Sequence, residues 1–163
     1  MSYEKKFQAL KNLPDFPSVP KGANFIQYRL TGKLLTLSGY GPLNGSILPS
    51  EYQGKIGGDR TVQQGYDASR LTGINLLLIV QIAIGSLDNK PIGSLDKVDH
   101  ILNVEGYVNC TDDFTDHPSV INGCSDLLVQ IFGKNGRHTR SAIGANSLAF
   151  GISVEIGISL MLK

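Results

Sequence analysis

His138-Thr-Arg-Ser-Ala-Ile-Gly-Ala-Asn-Ser-Leu-Ala-Phe-Gly-Ile-Ser-Val-Glu-Ile156 is the stretch whose reading decides the fold. From Ile152 the chain alternates without a break. Ile152, Val154, Ile156, Ile158, Leu160 and Leu162 point one way, and Ser153, Glu155, Gly157, Ser159 and Met161 the other, the period of a half-buried strand. If residues 146–151 turn the chain, Arg140 and Ser141 fall in the preceding strand. Arg140 and Glu155 are then expected on neighbouring strands, where a guanidinium and a carboxylate can converge on one small pocket as an anion clamp beside a general base. The competing reading of the same pair is an exposed cross-strand ion pair.

Working outward, Ile101 to Asn109 also alternates, with Leu102, Val104, Gly106 and Val108 expected inward. Beyond it Val120, Ile121, Cys124, Leu127, Leu128, Ile131 and Phe132 recur at three-and-four spacing, with Pro118 near the start and Gly133 at the end, the marks of an amphipathic helix. A longer helix is predicted over residues 61–85, with Asp59 as N-cap and Gly85 as its stop. Its Leu76-Leu-Leu-Ile-Val80 run is apolar all round and should be packed on most sides. Phe25 to Leu30 and Leu34 to Ser38 flank Thr31-Gly32-Lys33 and read as a hairpin, and Lys90 to Asp96 as a Pro/Gly turn.

Residues 3–12 suit a short helix, and Pro14, Pro17 and Pro20 an extended arm, so residues 1–22 read as an N-terminal extension of a single domain, 1–163. The order β-β-α-β-α-β-β is that of an α+β layer, a mixed sheet with both helices packed on one face. Asn103, Glu105, Tyr107, Ser153, Glu155, Gly157 and Ser159 then share the opposite face. That face is too mixed for a second core and is suited to self-association.

Composition narrows the function. Fifteen basic against fourteen acidic residues leave a net charge of +1 with no long run of either sign, so no nucleic-acid partner is expected. Met1-Ser-Tyr-Glu-Lys-Lys precedes no apolar signal core, and no stretch is expected to span a membrane, which points to a cytoplasmic protein without a membrane partner. Cys110 and Cys124 form no C-x-x-C and read as free, buried thiols. Asp112, Asp113, Asp116 and His117 match no ligand spacing and read as a solvated loop with a helix cap, so no metal is expected. Gly39-Tyr-Gly-Pro-Leu-Asn-Gly45 lacks the lysine of a phosphate loop and reads as a turn.

The spacing Arg140-Ser-x-Ile-x-x-x-x-Leu148-x-x-x-x-x-Val154-Glu155-Ile156 resembles the signature of the Rid/YjgF family, the reactive imine and enamine deaminases. Leu37-Ser38-Gly39-Tyr40-Gly41-Pro42, Val104-Glu-Gly-Tyr-Val-Asn109 and Val120-Ile-Asn-Gly-Cys-Ser-Asp-Leu-Leu128 agree in order. Gly57-Gly58-Asp59 and Asp113-Phe114-Thr115-Asp116 resemble its longer-chain branch. The resemblance implies a chorismate-mutase-like fold, a homotrimer whose sheets form an inner β-barrel, and a cleft at each subunit boundary. It implies hydrolysis of 2-imino or enamine acids to 2-oxo acids and ammonia, without a cofactor. Arg140 matches the carboxylate clamp and Glu155 the group that positions or deprotonates water; Phe25, Ser38, Gly39, Tyr40, Asn122 and Ala142 match positions that shape the pocket.

The chain departs from the family pattern at several of these positions. Phe25 stands where many members carry tyrosine, Tyr40 where they carry glutamine, Ala142 where many carry cysteine, and His138 where proline or alanine is usual. Two other functions share the resemblance: a sensor that binds a small carboxylate without turnover, and a ribonuclease, against which the neutral charge counts.

Overall fold

The computed structural model describes residues 1–17 and 23–163; the Pro20 end of the predicted arm falls outside them. Helix α1 (Tyr3–Gln8) leads to the short strands β1 (Tyr28–Thr31) and β2 (Leu34–Leu37). Helix α2 (Val62–Leu87), strand β3 (Val98–Asn109), helix α3 (His117–Phe132), strand β4 (Thr139–Ala145) and strand β5 (Val154–Leu162) follow. The five strands form one mixed sheet in the order β1-β2-β5-β3-β4. β4 runs parallel to β3 and the other pairs are antiparallel. This is the α+β layer expected from the element order, with one change of consequence. β3 lies between β4 and β5, so Arg140 and Glu155 are not on neighbouring strands, and residues 146–153 cross over β3 instead of turning a hairpin.

The core lies between the sheet and the two long helices. Val104, Val108, Val154, Ile156, Ile158 and Leu160 from the sheet are buried with Leu76, Leu77, Val80 and Ile84 of α2 and Val120, Ile121, Leu127 and Leu128 of α3. Gly106 sits under α3 so closely that a Cβ there would overlap the Ile121 side chain. In β3 the predicted inward set is right from Val104 onward but fails at Leu102, because register shifts between Val98 and His100 and between Ile101 and Asn103 turn Ile101 inward in its place. Such bulges add one residue to one strand and reset the alternation.

The cap of α2 is Thr61, whose side chain accepts from Gln64 N while Gln64 returns a bond to Thr61 N, a complete capping box. Asp59 closes the preceding turn by accepting from Lys55 N at 2.7 Å. Gly85 does not stop the helix, which runs on to Leu87; it admits the Lys90–Ile92 backbone, which a Cβ there would strike. By length and composition α2 is apolar enough to cross a membrane, contrary to the sequence expectation, but 72% of its most apolar window is buried within the fold.

The first residues also do more than an extension would. Phe7 is 1% exposed, Glu4 accepts from Gln81 Nε2 and Leu95 N, and Tyr3 packs edge-on against Phe132.

Candidate functional site

Residues paired across neighbouring strands share a face, so the register sorts the predicted site. Arg140 pairs with Val104 and Ala142 with Gly106, both on the helix side. Glu155 pairs with Tyr107, which in turn pairs with Ile143, on the open side. Arg140 and Glu155 therefore point to opposite faces of the sheet. Within one chain they form neither a shared pocket nor the cross-strand ion pair that was the simpler reading. Neither takes part in an ion pair among the described residues.

Glu155 belongs to a cavity of about 630 Å³ that gathers Phe25, Ser38, Gly39 and Tyr40 as anticipated, together with Gln27, Leu43, Ser46, Leu48, Ile79, Phe150 and Ile152. The β1–β2 hairpin builds one side. Ser38 N donates to Gln27 O at 2.9 Å and Ser38 Oγ to Ile26 O at 2.6 Å, while Tyr40 and Ile156 exchange backbone bonds of 2.9 and 3.0 Å. The chain thereby passes beside Glu155, and Gly39 is the residue that lets it: a Cβ there would overlap the carboxylate. The next wall is held by Asn75, an amide in the apolar half of α2 that donates to Gly41 O at 3.3 Å and Leu43 O at 2.7 Å. The Tyr40 hydroxyl is buried with no hydrogen-bond partner among the described residues, and burial raises its pKa above the ordinary 10.0, so it remains a protonated donor.

Arg140, Asn122 and Ala142 gather on the other side, at the α3–β4 junction. Arg140 Nη1 donates to Asn122 Oδ1 at 2.8 Å and to Ser125 Oγ at 3.1 Å. Ser125 escaped the sequence reading, although it lies one helical turn from Asn122 and thus on the same face. His138, noticed only as an unusual residue, completes the array. Its Nδ1 lies 2.6 Å from Gly136 O and its Nε2 3.0 Å from Ser125 Oγ. The carbonyl requires a proton on Nδ1, leaving Nε2 to accept from the Ser125 hydroxyl, whose oxygen accepts from Arg140. Burial lowers the His138 pKa, opposed in part by the Gly136 bond and assisted more weakly by the nearby Arg140 charge. Cys124, fully buried close by, has its thiol pushed up to about 12 by burial, against a weaker opposite pull from Arg140. It is no nucleophile at neutral pH.

A mixed five-stranded sheet backed by two helices, with a glutamate-lined cavity and, apart from it, an anchored arginine, defines an α+β fold of the chorismate-mutase-like class. Residues 8–154 match the family described as "YjgF/chorismate mutase-like, putative endoribonuclease", and the chain belongs to that family. Protein TCP17 of Trypanosoma cruzi is 33% identical over 136 residues, which cover 82% of this chain and 78% of the relative. Protein Atu1372 of Agrobacterium tumefaciens, described as of unknown function, superposes with a TM-score of 0.81 at 29% identity over 99% of this chain and 92% of its own. A Shewanella oneidensis MR-1 protein bearing the same endoribonuclease description gives 0.84 at 30% identity over 99% of this chain and 100% of its own.

Proposed function

We propose that the protein hydrolyses reactive 2-imino and enamine acids to 2-oxo acids and ammonia, in a cleft that two copies of the chain complete together. One observation carries this reading: the two charged groups that the chemistry needs are both present and neither forms an ion pair among the described residues, but they lie on opposite faces of the sheet. Arg140 is fastened by two neutral oxygens, which orient the guanidinium without neutralising it and leave its charge for a substrate carboxylate. Glu155 lies half-buried beside Gly39 and forms no ion pair among the described residues. A neighbouring copy that set its α3–β4 junction against this cavity would supply the missing half, and a homotrimer closes such contacts into a ring.

In that cleft the arginine fork fixes the substrate carboxylate. Glu155 takes a proton from water as the water oxygen bonds to the iminium carbon, giving a tetrahedral amino alcohol. Glu155 passes that proton to the nitrogen and takes up the hydroxyl proton as the C–N bond breaks; ammonia departs, the 2-oxo acid is left, and the proton on Glu155 passes to the ammonia as ammonium, so one water is consumed per ammonium formed. The iminium carbon is already electrophilic, and the residues present suffice for the steps.

The test is turnover of an imino acid generated in place by an amino-acid oxidase. Arg140→Lys is expected to lose nearly as much as Arg140→Ala, about 1.5–3 kcal/mol of transition-state stabilisation, because a point charge cannot reproduce the two-pronged bond. Glu155→Gln is expected to slow hydrolysis while leaving 2-oxo acid binding unchanged or slightly tighter. Wild-type decay rates in both variants would remove the pair from the mechanism.

A further inference from the structure

The cavity beside Glu155 is much larger than a three-carbon imino acid requires. At about 630 Å³ it falls within the roughly 300–1,000 Å³ of sites that enclose drug-sized ligands. Away from Ser38, Gly39 and Glu155 most of its wall is carbon, from Leu43, Leu48, Ile79 and Ile152. Phe25 and Phe150 also border it, 57% and 88% exposed. Phe150 is held at φ 57°, ψ 12°, a left-handed conformation costly for a bulky residue and kept only where the surroundings impose it. They do so here: Gln53 Nε2 donates to Phe150 O and Gly54 N to Gly151 O, both at 2.9 Å. The fold thus holds an aromatic ring, where glycine would be unstrained, beside an apolar chamber.

We propose that this chamber receives the substrate side chain, and that the preferred substrates are 2-imino acids with branched aliphatic or aromatic side chains. The proposal rests on Glu155 as the water-activating group. With the reacting carbon at Glu155 and the carboxylate directed to an arginine outside this cavity, the carbon wall is left for the third substituent. Side-chain burial there discriminates because each methylene withdrawn from water adds to transition-state binding.

The experiment compares kcat/KM for imines generated from leucine, phenylalanine and alanine. The first two are expected to exceed the third by tenfold or more. Leu48→Trp, which fills the chamber from a half-buried loop position, is expected to bring the ratio close to one. Phe150→Gly, which relieves the backbone and cannot lose activity through strain, is expected to lower it several-fold. Equal or better use of the alanine imine by the wild type, or a ratio untouched by both variants, overturns the proposal. Calorimetry with 4-methyl-2-oxopentanoate and pyruvate separates the two levels of inference. Tighter binding of the branched acid, lost in Leu48→Trp, supports the chamber assignment even if no imine is hydrolysed, an outcome that would sink only the deaminase reading. Equal binding of both acids overturns the assignment and leaves deamination standing.

Discussion

His138 shows how one side chain ties the pH response of the fold to the order of the candidate clamp. Its neutral tautomer is selected by Gly136 O and read by the Ser125 hydroxyl, and its pKa lies below the ordinary 6.5, chiefly through burial. A group depressed in the folded state leaves stability complete above its unfolded pKa. As pH falls below 6.5 the unfolded chain takes up the proton first, and stability is lost until the folded pKa is passed. Urea unfolding is therefore expected to show a midpoint that falls between neutral and mildly acidic pH more steeply in the wild type than in His138→Gln, which keeps a hydrogen-bonding side chain but does not titrate. Parallel curves would show that His138 is not held neutral by the fold. At this scale the alternation of β5 put Glu155 on the open face as expected, but the placing of Arg140 beside it on a neighbouring strand failed. The sequence was silent on Ser125, because a serine in an amphipathic helix becomes an arginine ligand only once β4 is laid beside α3.

The elements were legible where local chemistry terminates or patterns them, and illegible where a distant segment does. Gly133 ends α3 with a positive φ of 61°, as its position announces. Thr61 displaced Asp59 as the cap of α2 because the capping box needs Gln64 three residues on. Asp59 had a competing use in the turn before it. Gly85 is small for the sake of the Lys90–Ile92 backbone, which helical periodicity cannot reveal. Asn75 belongs with these cases. In an apolar stretch of α2 it looks like an error of patterning, but its amide holds the Gly41 and Leu43 carbonyls that build the cavity wall. Asn75→Ala is expected to cost about 1–3 kcal/mol, the usual penalty for leaving buried polar groups unpaired, and to loosen the Gly41–Leu43 loop. Equilibrium urea unfolding reads the first effect and amide hydrogen exchange at Leu43 the second. A stable variant with unchanged exchange would mean that the loop holds its shape without the helix.

At the scale of the whole molecule, strand order separates what the sequence announces from what folding decides. The alternation of β4 and β5 identifies two strands, but no local pattern says that the helical crossover carries β4 to the far side of β3, or that β5 enters between β2 and β3. Within that order the pairing register puts Arg140 and Glu155 on opposite faces, so the proposed arginine-and-glutamate site draws on a second copy. Light scattering is accordingly expected to give about three chain masses for a closed ring of such contacts. Mixing provides the sharper test. Arg140→Ala and Glu155→Gln chains, each strongly impaired alone, would be unfolded together and refolded at equal concentrations. If each cleft draws its arginine from one copy and its glutamate from the next, random assembly leaves about a quarter of clefts with both native groups, so about a quarter of wild-type activity should return. A site built within one chain would recover nothing, since every chain carries one of the two lesions. A mixture that had demonstrably exchanged subunits yet was no more active than the separate variants would therefore exclude the shared cleft, and activity near a quarter is not reached by any arrangement in which a single chain supplies both residues.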